Sequence, residues 1–115
     1  MTSFRCPEEV AILHLALHVL VPATLAVAIF RKDWLQPFLL MMAGLLIDLD
    51  HLLADPVYDA GRCSIGFHPL HHPALLLAYA AMIGFAWTRW LGVGLVIHML
   101  LDSIDCQVTN GVWFV

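Results

Sequence analysis

Apolar residues run along the chain in four blocks, interrupted at a few places by His and Asp. Val10 to Phe30 is free of Asp, Glu, Lys and Arg. A bilayer core about 30 Å thick needs roughly 20 apolar residues per helix, so this block predicts a first span over 10–30. Arg31, Lys32 and Trp34 close it in the way cations and aromatics mark a membrane interface. The block at 35–54 predicts a second span, opening near Pro37 and ending before Pro56, which disfavours helix. "PALLLAYAAMIGFAWTRW" predicts a third over 73–90, and "LGVGLVIHMLLDSIDCQV" a fourth over 91–108. These last two are nearly continuous, so Gly92 or Gly94 is expected to turn the chain. Residues 55–72 mix Pro, Gly, Asp, Ser and His irregularly and read as a loop or re-entrant segment. The expectation is an all-α integral membrane four-helix bundle, one domain over 1–115, with a His-rich loop between helices 2 and 3.

Composition supports this. Hydrophobic residues make up 62% of the chain, charged residues 12%, and mean hydropathy is +0.87, outside the range of ordinary soluble domains. A net charge of -4 with five Lys and Arg leaves no basic patch for nucleic acid. Glu8 and Glu9 before the first block argue against a cleavable signal. Arg31, Lys32 and Arg89 place two turns on the cytoplasmic side, against Arg5 and Arg62 on the other. Both termini and the long loop then face outward, the periplasm of a bacterial inner membrane. Trp34, Trp87, Trp90 and Trp113 read as interfacial anchors. The small residues of "AYAAMIG" read as a helix-packing surface. Cys6, Cys63 and Cys106 lack a C-x-x-C spacing. Cys63 and Cys106 both fall on the outer side, where either a disulfide or two free thiols would fit.

The ionisable residues gather on that outer side. His14 and His18 occupy the outer half of span one, while Asp48, Asp50 and His51 occupy the outer end of span two. His68, His71 and His72 precede span three, and His98, Asp102 and Asp105 lie in the outer half of span four. The cytoplasmic turns hold only Asp33. Spacings of three and four place His14 with His18, Asp48 with His51, and His98 with Asp102 and Asp105 on shared helical faces. Asp50 lies about 200° from Asp48 on an ideal helix, which suits either a supporting role or a helix already unwinding. A lone His on an apolar helix is ordinarily a hydrogen-bonded core residue. Four segments bringing His and Asp to one depth point instead to a metal site within the bundle. Mixed nitrogen and oxygen ligation suits Zn first, then Mn, Fe or Ni, as one ion or two. The ligand candidates are His14, His18, Asp48, His51, His68, His71, His72, His98 and Asp102. Asp55, Asp59, Glu8 and Glu9 read as solvated loop charges.

"IDLDHLLA", "RCSIGFHPLHH" and "GLVIHMLLDSIDC", preceded by "HLALHVLVP", resemble a family of small uncharacterised bacterial four-helix inner-membrane proteins over nearly the whole chain. More loosely, the order of His, D-x-D-H, loop His and H-x-x-x-D is similar to the LexA-regulated membrane-bound metal-dependent hydrolases. That likeness matches Asp48, Asp50 and His51 to D-x-D-H, and His98 and Asp102 to H-x-x-x-D. Here "HPLHHP" replaces that family's loop pattern of a His and Arg followed by Thr-His-Ser, and Ile47 stands where it has Pro.

The leading functional expectation is a metal-dependent hydrolase acting on a lipid or lipid-linked ester, above all a phosphoester, at the outer face of the inner membrane. Asp50 or Asp105 is the candidate general base, and Arg62 the candidate partner for a phosphate. The competing classes are a metal-binding or ion-translocating protein and a metal-stapled structural partner of another membrane protein. Ion transport finds no relay of ionisable groups in the inner half of the spans, and only a homo-oligomer would supply a path between protomers. An intramembrane protease lacks the H-E-x-x-H pair that would support it.

Overall fold

The computed structural model describes residues 7–55 and 62–114; Arg5, Cys6, Pro56 and Asp59, with the side chain of Glu8, lie outside the described residues. The fold is all-helical among them, with four α-helices: α1 (Pro7–Phe30), α2 (Leu35–Ala43), α3 (Leu75–Met82) and α4 (Arg89–Asn110). A long 3-10 segment, Gly44–Leu53, continues α2 without a break. Three stretches, Ile12–Asp33, Leu35–Leu53 and Arg89–Asn110, are long and apolar enough to cross a membrane. Their outer faces carry bare Leu, Ile and Val, such as Ile12, Val27, Leu46, Leu49 and Leu100, whereas His18, Asp50, His71, His98 and Asp102 are buried. Polar groups inside and apolar groups outside is the arrangement that a hydrocarbon solvent favours.

α1 tolerates Pro22 within its length and ends at Arg31, whose φ of 51° is the left-handed conformation that closes helices. The Phe30 ring then packs on Trp90 at 4.8 Å, so the end of α1 meets the start of α4 and the two run antiparallel. α2 with its 3-10 continuation is about 33 Å long at 1.5 and 2.0 Å per residue, enough to cross.

Two sequence expectations need correction. The stretch 73–90 is not one long span, because α3 stops at Met82 and turns follow to Thr88. The reason lies in the loop before it. His71 docks against His98, about 14 Å along α4 from its start, so the return path to Arg89 is short and eight helical residues with a few turns cover it. Thr88 Oγ1 donates to the Met82 carbonyl at 2.7 Å and Arg89 Nε to that of Ile83 at 2.9 Å, satisfying the carbonyls exposed where α3 ends. Gly92 and Gly94 do not turn the chain either; both sit inside α4. A Cβ on Gly94 would lie 2.3 Å from the Met41 carbonyl oxygen, and one on Gly92 would lie 2.8 Å from Met82 Cβ. Glycine therefore lets α4 touch both α2 and α3 at backbone distance.

The 3-10 geometry determines which face of 44–53 is inside. With three residues per turn, Gly44, Ile47 and Asp50 stack on one line, and these three are the buried residues of the segment. Asp48 and His51 stack on a neighbouring line. An α-helix would have spread Gly44, Ile47 and Asp50 over about 120° while keeping Asp48 and His51 on one face.

Candidate metal centre

Asp102 on α4 is the hub. Its Oδ1 lies 2.9 Å from His14 Nε2 and 3.1 Å from His18 Nε2, and its Oδ2 lies 3.0 Å from His71 Nε2 and 3.1 Å from His98 Nε2. One carboxylate, only 4% exposed, thus serves two imidazole pairs, one on α1 and one shared between the loop and α4. Asp48 completes the second pair, with Oδ1 3.2 Å from His71 Nε2 and 3.1 Å from His98 Nε2.

The atoms Asp48 Oδ1, His71 Nε2, His98 Nε2 and Asp102 Oδ2 form a near-tetrahedron. The two ring nitrogens are 3.1 Å apart, so five of the six edges are between 3.0 and 3.2 Å. A tetrahedral ion with ligands at about 2.0–2.1 Å would give edges of about 3.3–3.4 Å. Hydrogen bonds cannot account for five such contacts, because each Nε2 carries at most one hydrogen. His71 is the clearest case. Its Nδ1–H donates to Asp50 Oδ2 at 2.8 Å, so in the neutral ring Nε2 is a bare lone pair facing two carboxylates. On His18, Nδ1–H donates to the His14 carbonyl at 2.7 Å, which leaves Nε2 facing Asp102 at 3.1 Å. A proton or a metal ion in each place would make these contacts attractive.

A family model matches residues 10–109, described as a family of unknown function, DUF6122. The chain belongs to the DUF6122 family. This agrees with the likeness to a small uncharacterised family and does not extend to the hydrolase grouping. No curated protein and no solved structure shows a significant match. The chemistry of this DUF6122 chain therefore has to be read from its own residues.

The loop that delivers His71 is built for that purpose. Gly66, at φ 90°, lets the chain double back so that its N–H donates to the His71 carbonyl at 3.0 Å. The Leu70 N–H donates to Asp50 Oδ2 at 2.9 Å, and Tyr79 OH donates to the Leu70 carbonyl at 2.9 Å. A disulfide between Cys63 and Cys106 pins the start of the loop to α4 one turn beyond Asp102. Burial disfavours charge on His71, but hydrogen bonds to Asp102, Asp48 and Asp50 outweigh it and push its pKa up to about 10. So strongly anionic a pocket attracts cations. Among the described residues no Lys or Arg pairs with these carboxylates; every ion pair is to a His.

The remaining candidates separate into three groups. Asp50 is 4% exposed, and its two oxygens already face His71, Leu70 and His51, which makes it the group that orients His71 rather than a free base. Asp105 is half-buried with Oδ1 3.9 Å from His14 Nδ1, at the rim of the α1 pair. His51 and His68 lie beyond Asp50, their rings stacked at 3.8 Å. His72 stands apart: it is exposed, and its Nδ1 accepts from the Ala74 N–H at 3.1 Å. Arg62 packs its guanidinium over the Phe67 ring at 4.7 Å, with Nη1 buried and unpartnered.

Proposed function

We propose that this protein is a membrane-integral hydrolase with a two-ion metal centre, acting on a lipid or lipid-linked phosphoester or ester at the outer face of the inner membrane. The observation that carries the reading is the double use of Asp102. A carboxylate whose oxygens each face a separate pair of imidazoles is the bridge that a two-metal site requires, and such sites favour Zn or another divalent transition metal. Divalent ions held there supply Lewis acidity, lowering the pKa of water towards neutrality and drawing charge from phosphoryl oxygens.

The halves differ in a way that supports catalysis. His71, His98, Asp48 and Asp102 supply four ligand atoms, as in structural sites, whereas His14, His18 and Asp102 supply three, so an ion held there would keep a position for water or substrate. The closed half alone would favour a structural staple; the open half favours an enzyme. Asp105, beside His14 and partly exposed, is placed to take a proton from the nucleophile.

The lipid part of the reading rests on the surface. An open apolar strip on one face of α1, formed by Leu17, Leu20, Val21, Thr24, Leu25 and Ala28, starts beside His18. It suits an acyl chain whose head reaches the open half. The Cys63–Cys106 disulfide supports placing the loop and the centre in an oxidising compartment.

The test is metal content and hydrolysis measured together on detergent-purified protein, against a set of phospholipids and polyprenyl phosphates. The reading expects at least two equivalents of a transition metal, hydrolysis that a chelator abolishes, and loss of both in Asp102→Ala. Absence of bound metal, or metal with no turnover of any lipid ester, would overturn it.

A further inference from the structure

Beyond Asp50, on the side away from Asp102, three more ligand-type side chains converge. Asp50, His51 and His68 each offer one ligand atom, all within 4.8 Å of one another. His68 Nε2 is buried without a hydrogen-bond partner on a residue only 2% exposed. Buried polar atoms are nearly always satisfied, and an orphan calls for an ion or a water. A core histidine kept for packing alone would be expected to find a carbonyl or hydroxyl, as His18 does with the His14 carbonyl.

We infer that Asp50, His51 and His68 form a third cation site beside the Asp102 centre, joined to it through Asp50 and through His51, whose Nδ1 lies 3.6 Å from Asp48 Oδ1. Its ligand is a divalent transition metal, chosen by two imidazoles and a single carboxylate. The site is the weaker of the two regions for two structural reasons. It has three protein ligands and one negative charge, and that charge is shared: Asp50 Oδ2 holds His71 Nδ1 and the Leu70 N–H, leaving Oδ1, 3.1 Å from His51 Nδ1, for the third ion. His51 is also partly exposed, so the ion exchanges with the outside more readily than one held by the tetrahedron. Because Asp50 orients His71, occupancy of the third site and affinity at the Asp102 centre are coupled in both directions.

The inference rests on the two-ion reading only for the count of ions. The experiment is equilibrium titration of the metal-stripped full chain in detergent with Zn²⁺ against a competing chelator dye, for wild type, His68→Ala, and Asp102→Asn. The expected result is three sites in wild type, two in His68→Ala with the tight pair kept, and retention of the weak site in Asp102→Asn. His68→Gln, closer in volume, replaces His68→Ala if the latter does not fold. Two sites in wild type, or a third that survives both His68 variants, overturns the proposal. If Asp102→Asn binds as wild type does while His68→Ala loses one ion, the two-ion reading fails and the third site stands.

Discussion

Replacing Asp102 by Asn tests the centre most directly, because the change conserves shape and removes one charge. The four ring nitrogens around the carboxylate lie 2.9–3.1 Å from its oxygens. In Asn one oxygen survives and the other becomes an NH₂, which cannot ligate a cation. If the oxygen faces His71 and His98, the α1 pair is left with two imidazoles; if it faces the α1 pair, the tetrahedron loses a corner. Either way one half loses its only shared ligand, and both lose the negative charge between them. Breaking a buried ion pair by removing one partner costs about 3–5 kcal/mol. At about 1.4 kcal/mol per tenfold, affinity for the more tightly held ion should fall by roughly a hundred- to several-thousand-fold, and at least one equivalent should disappear. The assay is chelator competition at pH 7 in detergent, with metal counted by elemental analysis and helix content checked by circular dichroism. Asp102→Glu keeps the charge but displaces both oxygens, and should fall between wild type and Asn. An Asp102→Asn protein that is folded and binds metal with unchanged number and affinity would refute the shared-carboxylate argument.

Other consequences follow from the same geometry. Asp50→Asn places an amide against the His71 Nδ1–H and the Leu70 N–H; metal affinity should fall about 10–100-fold, the usual cost of losing a supporting partner, in the same chelator competition. In metal-free protein the His71 pKa near 10, against 6.5 when unfolded, gives stabilisation that is complete below pH 6.5 and lost as pH rises through 10. Melting temperature of the stripped protein should therefore drop between those values, and metal uptake near pH 7 should release a proton that a weakly buffered titration detects. Gly94→Ala drives a Cβ into the Met41 backbone and should cost about 1–3 kcal/mol by overpacking, read as a lower melting temperature. Opening the Cys63–Cys106 bridge, which spans 43 residues, removes about 4 kcal/mol on the chain-entropy account. Reductant or Cys63→Ser should lower both melting temperature and metal affinity, because the His71 loop loses its anchor.

Much of this was legible in the sequence, and the limits have physical causes. The spacing of His14 with His18 and of His98 with Asp102 fixed shared faces, since α1 and α4 are regular through those residues. Asp48, Asp50 and His51 were visible as a group, but their division was not. An α-helical wheel leaves Asp50 on a far face, and only the tighter 3-10 winding of Gly44–Leu53 turns it inward as the partner of His71. Among the loop histidines no periodicity applied. The choice of His71 and His68 over His72 follows from the turn at Gly66 and from the bonds at Leu70, both tertiary facts. The adjoining apolar blocks at Gly92 and Gly94 suggest a turn, whereas both glycines let α4 touch its neighbours.

The deepest of these hidden features is the bridge. Sequence spacing puts Asp102 on the same face as His98, but it cannot say what the second carboxylate oxygen meets. That depends on α1 running antiparallel to α4, which the Phe30–Trp90 contact establishes at the other end of the pair. Because the two helices are in register there, His14 and His18 arrive at the level of Asp102 and take Oδ1, while the folded-back loop brings His71 to Oδ2. Two long helices and one pinned loop are thus needed to bring two imidazole pairs to a single carboxylate. A change that pushes α4 away from α2 without touching any ligand should separate His98 and Asp102 from Asp48, so Gly94→Ala, whose Cβ meets the Met41 backbone, should reduce metal stoichiometry as well as stability.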